Sequence, residues 1–281
     1  MKRLRIEHRT GFRYPGDVSA SYNEARMQPV TSDAQFVLHH SLDIEPHTAV
    51  ATFVDYFGSA VTSFDVVHVH ASLTLTARCL VEVRARELAA VDLTWDDLST
   101  LACGQVETVE QLVQTGLTAP PAAVVALAKE IAGKNPNPDE AAREIARTIG
   151  EEIEYLAGVT NVHTTAADAW AAGRGVCQDI THVALGALRS VGIPARYVSG
   201  YLHPVEEPVV GETVSGESHA WLEWYVGEWR GYDPTNRIEI GDRHVTVGRG
   251  RDYTDVPPLR GVYSGAGKSE LDVSVTITRE A

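Results

Sequence analysis

The chain has 281 residues, 44% apolar and 22% charged, an ordinary globular balance that suggests one or two domains with ample material for a core. A formal net charge of −14 and a pI near 5.2 argue against a nucleic-acid or anionic-membrane surface, because counterion-release binding needs clustered Lys and Arg. No apolar run could span a bilayer, Met1 to Arg9 is too charged for a signal peptide, and three cysteines do not suggest a disulfide framework, so a cytoplasmic protein with reduced thiols is expected.

In chain order, residues 1–88 read as an antiparallel β-sandwich-like domain. Strands are predicted over Leu4 to Tyr14, Gln35 to Glu45, Ala49 to Tyr56, Val61 to Val69 and Leu73 to Val83, with turns at Pro15-Gly16-Asp17, Glu45-Pro46-His47 and Phe57-Gly58-Ser59. In the last of these, Leu73, Leu75, Ala77, Cys79, Val81 and Val83 share a face, which assigns Cys79 to the core. His39-His40 and His68-Val69-His70 could suggest a metal site. Adjacent histidines on a strand point to opposite faces, however, leaving only His68 and His70 able to share an ion without further ligands, so no metal is expected.

Residues 89–119 form a connecting segment with short helices, carrying Cys103 without a partner motif. Residues 120–281 begin alanine-rich and helical, over Ala122 to Ala132 and Asp139 to Tyr155, with Asn137 before Pro138 as N-cap and first-turn residue. Thr165 and Asp168 form a capping box for a short helix to Ala171, on which Trp170 reads as core. A turn, Gly173-Arg174-Gly175-Val176, then delivers Cys177 to the start of a helix whose Ile180, Ala184, Ala187, Leu188 and Val191 make one buried face. Gly192 stops that helix. Asp179 lies in its first turn, and Cys177 shares the favourable field for an anion. A helix N-terminus with a nearby imidazolium can lower a thiol pKa from about 8.5 to roughly 3.5–7.5, making Cys177 a candidate nucleophile. By itself the segment equally fits a small buried hydrophobe.

The rest of the chain bears on that choice. Arg196 to Leu202 is a strand, Pro204 to Ser215 a polar loop bordering a cleft or merely connecting, and Ser218 to Val226 alternates, with His219, Trp221, Glu223 and Tyr225 on one face. After Gly227-Glu228 a second strand, Trp229 to Asp233, ends at Pro234. His244 to Val247 and Leu271 to Thr278 read as further strands of the same sheet. A cysteine on a helix N-terminus, a histidine on a strand and an acid on the next strand are the order expected of nucleophile, base and orienting group. Glu223, two places from His219 along the same face, reads instead as an exposed sheet residue or an arginine partner. A two-residue turn at Gly227-Glu228 would place Asp233 on the face away from His219, so the triad requires an odd loop, a bulge, or an Asp233 beyond the paired region.

Gly175-Val176-Cys177-Gln178-Asp179, Gly192 to Tyr201, Ser218-His219-Ala220-Trp221 and Tyr232-Asp233-Pro234-Thr235-Asn236 together resemble the transglutaminase-like superfamily, whose core is similar to papain-like thiol proteases. Tyr22-Asn23-Glu24-Ala25-Arg26 with Pro29, and Asp252 to Gly261, resemble its bacterial members. The resemblance implies an α+β chain: the N-terminal β domain followed by a papain-like core with helices packed on an antiparallel sheet. It implies Cys177 as nucleophile, His219 as general base and acid, and Asp233 holding His219, with a peptide or protein amide as substrate and no cofactor. Hydrolysis through a thioester is the first expectation; protein-glutamine transamidation and a catalytically silent binding or scaffold protein are the alternatives.

Overall fold

In the computed structural model, which describes residues 1–281, the long strand Lys2–Val18 organises the N-terminal part. It pairs antiparallel with His70–Val83 on one side and Glu270–Arg279 on the other. Gln35–Glu45 and Thr213–Gly216 complete a five-stranded sheet at its two edges. A second sheet runs Leu259–Ser264, Ala20–Ala25, Ala60–Val66 and Val50–Val54. Phe64 and Val66 from this sheet meet Leu73, Leu75 and Ala77 from the first in a buried cluster, the two-layer packing anticipated for short alternating strands. Cys79 is buried on the predicted face, and burial pushes its thiol up to about 12.

The C-terminal strands require a correction. Leu271 to Thr278, expected in the sheet that carries His219, instead pairs residue for residue with Lys2–Val18, as in Ile6 opposite Ile277 and His8 opposite Val275. Leu259–Ser264 likewise joins Ala20–Ala25. The stretch 120–281 therefore does not end inside the core: its last strands close the N-terminal sheets. Alternation marks Val273, Val275 and Ile277 as strand residues but carries no information about which of two antiparallel sheets will take them. The loop from Pro204 to Ser215 is corrected in the same way, because its end forms a strand, Thr213–Gly216, on the outer side of Glu270–Arg279.

The other sheet runs Ile238–Glu239, Trp229–Asp233, Ser218–Tyr225, Ala195–Leu202 and His244–Gly250. One face is covered by helices. Ala220, Leu222, Trp224 and Val226 pack in a 25-residue cluster with Ile180, Val183, Ala184 and Ala187 of the helix Cys177–Ser190 and with Ala142, Ile145 and Ile149 of the helix Pro138–Glu152. The opposite face meets the N-terminal sheet, where Tyr201, Val245 and Val247 bury against Leu4, Ile6, Cys79 and Val81. Both faces being buried, even the ionic residues of the odd-numbered face are paired internally. Glu223 accepts from Arg249 Nε at 2.9 Å and Arg196 Nε at 2.7 Å, and so is an arginine partner.

The predicted caps are present. Asn137 accepts from the Asp139 N–H with Pro138 in the first turn, and Thr165 and Asp168 cap each other at the helix Ala166–Ala172. Two short helices, Trp95–Cys103 and Val106–Glu110, occupy the connecting segment.

Candidate active site

Cys177 is the first residue of its helix because Asp179 closes the turn behind it. The Asp179 carboxylate accepts from the Val176 N–H at 2.8 Å and the Thr160 hydroxyl at 2.6 Å. A Cβ on Gly175 would lie 2.8 Å from that carboxylate, so only glycine fits there. The first-turn N–H groups of Cys177 and Gln178 lie ahead of any intrahelical acceptor, and both residues line a cleft.

His219 comes from the adjacent sheet, and the hairpin register brings Asp233 to it. Tyr225 pairs with Trp229 and Leu222 with Tyr232, leaving a three-residue loop of Val226, Gly227 and Glu228. Gly227 takes the left-handed φ of 88° that such a loop demands, and the Val226 N–H donates to the Glu228 carbonyl at 3.0 Å. The odd loop sets Asp233 on the same side as His219 rather than behind it.

The resulting contact is short. His219 Nε2 donates to Asp233 Oδ2 at 2.7 Å, and Asp233 is wholly buried. Its other oxygen accepts from the Thr235 N–H at 3.0 Å and the Asn236 N–H at 3.1 Å. Asn236 Nδ2 is a second donor to Oδ2, at 2.8 Å, and His244 Nε2 lies 3.5 Å from the same oxygen. Trp221 covers the pair, its ring centroid 6.2 Å from that of His219 and 5.3 Å from that of His244. Burial works against a charged Asp233, but the hydrogen bonds from His219 and His244 hold it far below the usual carboxylate range. Burial likewise opposes a charged His219, and the bonds to Asp233 and Cys177 overcome it, pushing the imidazole up to about 10. With Nε2 engaged by the carboxylate, Nδ1 is the nitrogen left for the thiol.

Cys177 and His219 lie at the junction of two grooves. One, of about 370 Å³, is largely apolar and runs between the helix N-terminus and the N-terminal sheet, past Tyr197, Tyr253, Pro258, Val273 and Val275. The other, of about 680 Å³, is more polar and runs past Pro204, Glu206, Asn236 and Arg243. The structure thus brings Cys177, His219 and Asp233 to one place. Asn236 and His244 also belong to the site and were not singled out from sequence. Asn236 was readable, since Asp233 with the N–H groups two and three residues on is an Asx-type turn. His244 was not, because it reaches Asp233 through the pairing of its strand with Ala195–Leu202, a long-range register.

Comparisons agree with this architecture. Residues 125–234 match the family model of the transglutaminase-like superfamily, and residues 4–82 that of the bacterial transglutaminase-like N-terminal region. An uncharacterized protein of Mycobacterium leprae (strain TN) is 44% identical over 282 residues, covering 100% of both chains. One of Mycobacterium tuberculosis (strain ATCC 25618 / H37Rv) is 32% identical over 290 residues, covering 98% of this chain and 92% of that one. Among solved structures, a "Putative Cysteine Protease from Cytophaga hutchinsonii" superposes with a TM-score of 0.76 at 20% identity, over 99% of this chain and 90% of that one, a likeness of fold.

Proposed function

The chain belongs to the transglutaminase-like superfamily, and from that premise we propose that it is a cysteine-dependent acyl-transfer enzyme cleaving amide bonds of peptides or proteins, with water as the acceptor. The observation that carries the reading is the 2.7 Å bond from His219 Nε2 to the buried Asp233, beside a half-exposed cysteine at a helix N-terminus. Cys177 Sγ, as thiolate beside the His219 imidazolium, attacks the carbonyl carbon; the S–C bond forms and the carbonyl π pair moves onto oxygen. Collapse of that adduct breaks the C–N bond, and His219 gives its proton to the departing amine. Water then attacks the thioester, His219 takes a proton from it, and the S–C bond breaks to release the acid. Asp233 keeps the ring oriented throughout and favours its protonated form.

Water as acceptor is supported by the two grooves, which leave the thiol junction open on both sides. The site of action under this reading is the cytoplasm, where a catalytic thiol stays reduced. The test is digestion of denatured casein and of a synthetic peptide mixture in H₂¹⁸O, with mass spectrometry of the products. The parent chain yields new C-termini carrying ¹⁸O and Cys177→Ala yields none. Crosslinked products without ¹⁸O incorporation, or full cleavage by Cys177→Ala, would overturn the proposal.

A further inference from the structure

A separate cavity, of about 470 Å³, shares no lining residue with the two grooves at Cys177. Residues 32–35 with Val83 and Arg84 form one wall, and Glu223, Trp229 and Arg249 of the core sheet form the other. Gln35 ties the walls together: its Nε2 donates to the Thr246 carbonyl at 2.8 Å and its Oε1 accepts from the Thr246 N–H at 2.8 Å. In a chain of net charge −14, four arginines converge here, Arg84, Arg86, Arg196 and Arg249. Asp33, Glu107, Glu223 and Glu228 line the cavity too, so the total is neutral and position decides. The Arg86 and Glu107 side chains are 51% and 61% exposed, and water screens such rim charges. On the buried floor Arg196 and Arg249 share the single carboxylate of Glu223, two cations to one anion.

Arg249 spends Nε and Nη2 on Glu223, at 2.9 and 3.1 Å, and its Nη1 makes no hydrogen bond within the protein. Arg196 is fully occupied: Nε donates to Glu223 at 2.7 Å, Nη1 to Glu107 at 3.1 Å, and the guanidinium stacks 3.9 Å from the Trp229 ring centre. Burial, with Arg249 beside it, lowers the Arg196 pKa in spite of both glutamates, the direction expected of a cation short of compensating charge. An excess of one positive charge suits a monoanion, and Val83, Leu88, Tyr225, Trp229 and Ile240 add apolar lining. We propose that this cavity binds a small-molecule carboxylate, its oxygens on the free edge of Arg249 and its apolar body against Trp229, Tyr225 and Ile240. The occupant lies one side chain from Asp233. His244 lines the cavity, its Nδ1 accepts from the Gly241 N–H at 3.2 Å, and its Nε2 is the atom 3.5 Å from Asp233 Oδ2. Binding here involves no catalytic step and does not depend on Cys177 being a nucleophile.

The test is calorimetric titration of the full chain with phenylacetate, its neutral counterpart 2-phenylethanol and inorganic phosphate, with NMR of the His244 ring in parallel. Phenylacetate should bind with a Kd of about 1 mM or tighter, and the His244 resonances should shift with the same Kd. The alcohol should bind roughly 10- to 100-fold more weakly, the range for losing a charge-assisted hydrogen bond, and Arg249→Met should weaken phenylacetate by the same factor. A chain first alkylated at Cys177 should bind as the parent does. Weaker binding of phenylacetate than this, equal affinity for the alcohol or for phosphate, an unmoved His244, or unchanged affinity in Arg249→Met overturns the proposal. Loss of binding on alkylation also overturns it, since the probe then occupies the grooves at Cys177. In Arg249→Met the Glu223 carboxylate keeps Arg196, and circular dichroism verifies the fold. Should that variant not fold, the parent's choice between acid and alcohol and its His244 shift still decide.

Discussion

Replacing Asp233 by Asn tests the electrostatics of the site with little disturbance of its shape. The amide oxygen of Asn still accepts from the Thr235 and Asn236 N–H groups, so the turn survives. What changes is the other atom. In place of a carboxylate oxygen receiving His219 Nε2, Asn236 Nδ2 and His244 Nε2, an NH₂ group now faces three donors. Raising the imidazole from 6.5 to about 10 corresponds to roughly 5 kcal/mol of preference for its protonated form, at 1.36 kcal/mol for each tenfold change. Asp233 and Cys177 share that preference against the opposing effect of burial. Without the carboxylate, burial dominates and the ring is neutral at pH 8, so the thiolate loses its counter-ion and the ring loses its orientation. We expect kcat/KM to fall by roughly 10²- to 10⁴-fold. The assay is ¹⁵N NMR of the His219 ring from pH 5 to 11. The parent ring titrates near 10, and that of Asp233→Asn titrates below 8. The sign extends to stability. A histidine whose pKa is raised on folding contributes fully below 6.5, and the contribution is lost as pH rises through about 10. The stability gap between parent and variant therefore closes above pH 10. A ring still protonated at pH 8 in Asp233→Asn would refute the reasoning.

Gly150→Ala should disturb the same turn from behind. A Cβ there would lie 1.9 Å from the Pro234 carbonyl oxygen, so the helix Pro138–Glu152 or the Asp233-Pro234 turn must move. Thermal unfolding should show a loss of about 1–3 kcal/mol with a matching fall in activity; an unchanged midpoint would show that the helix yields freely. Glu223→Gln leaves the Arg196 and Arg249 guanidinium groups without their shared anion, and chemical denaturation should show a cost of about 3–5 kcal/mol. Burial opposes its charge, yet Arg249 and Arg196 hold Glu223 down at about 2, so the parent's stabilisation is present above pH 4.5 and is lost as pH falls through about 2. The variant should lack that acid-sensitive component, and an identical acid profile would refute the assignment.

Local chemistry accounts for what could be read from the chain alone. Caps at Asn137 and Thr165, the alternating face from Leu73 to Val83, and the helix behind Cys177 are all written in residues a few positions apart. Cys177, His219 and Asp233 could be singled out for the same reason: each is fixed by its own turn, strand or cap. Even the hairpin parity could be posed as a question, though the answer lay in whether Val226 joined the loop. What was not legible depends on distant register. The return of Glu270–Arg279 to Lys2–Val18, the approach of His244 to Asp233, and Tyr155 lying beside Gly175 all come from pairings that periodicity does not specify. The apolar groove owes Val273 and Val275 to that return, so one wall of the cleft is built by the last strand of the chain.

The account stands on an activated thiol at Cys177, and the most direct measurement is the rate of iodoacetamide alkylation at each cysteine between pH 5 and 10, resolved by mass spectrometry. Cys103 is exposed and Cys79 buried, giving reference thiols within the same chain. The thiolate–imidazolium pair predicts that Cys177 reacts faster than Cys103 at pH 6 and that His219→Ala abolishes the advantage. Equal rates at Cys177 and Cys103 across the range, or an advantage that survives His219→Ala, would contradict it.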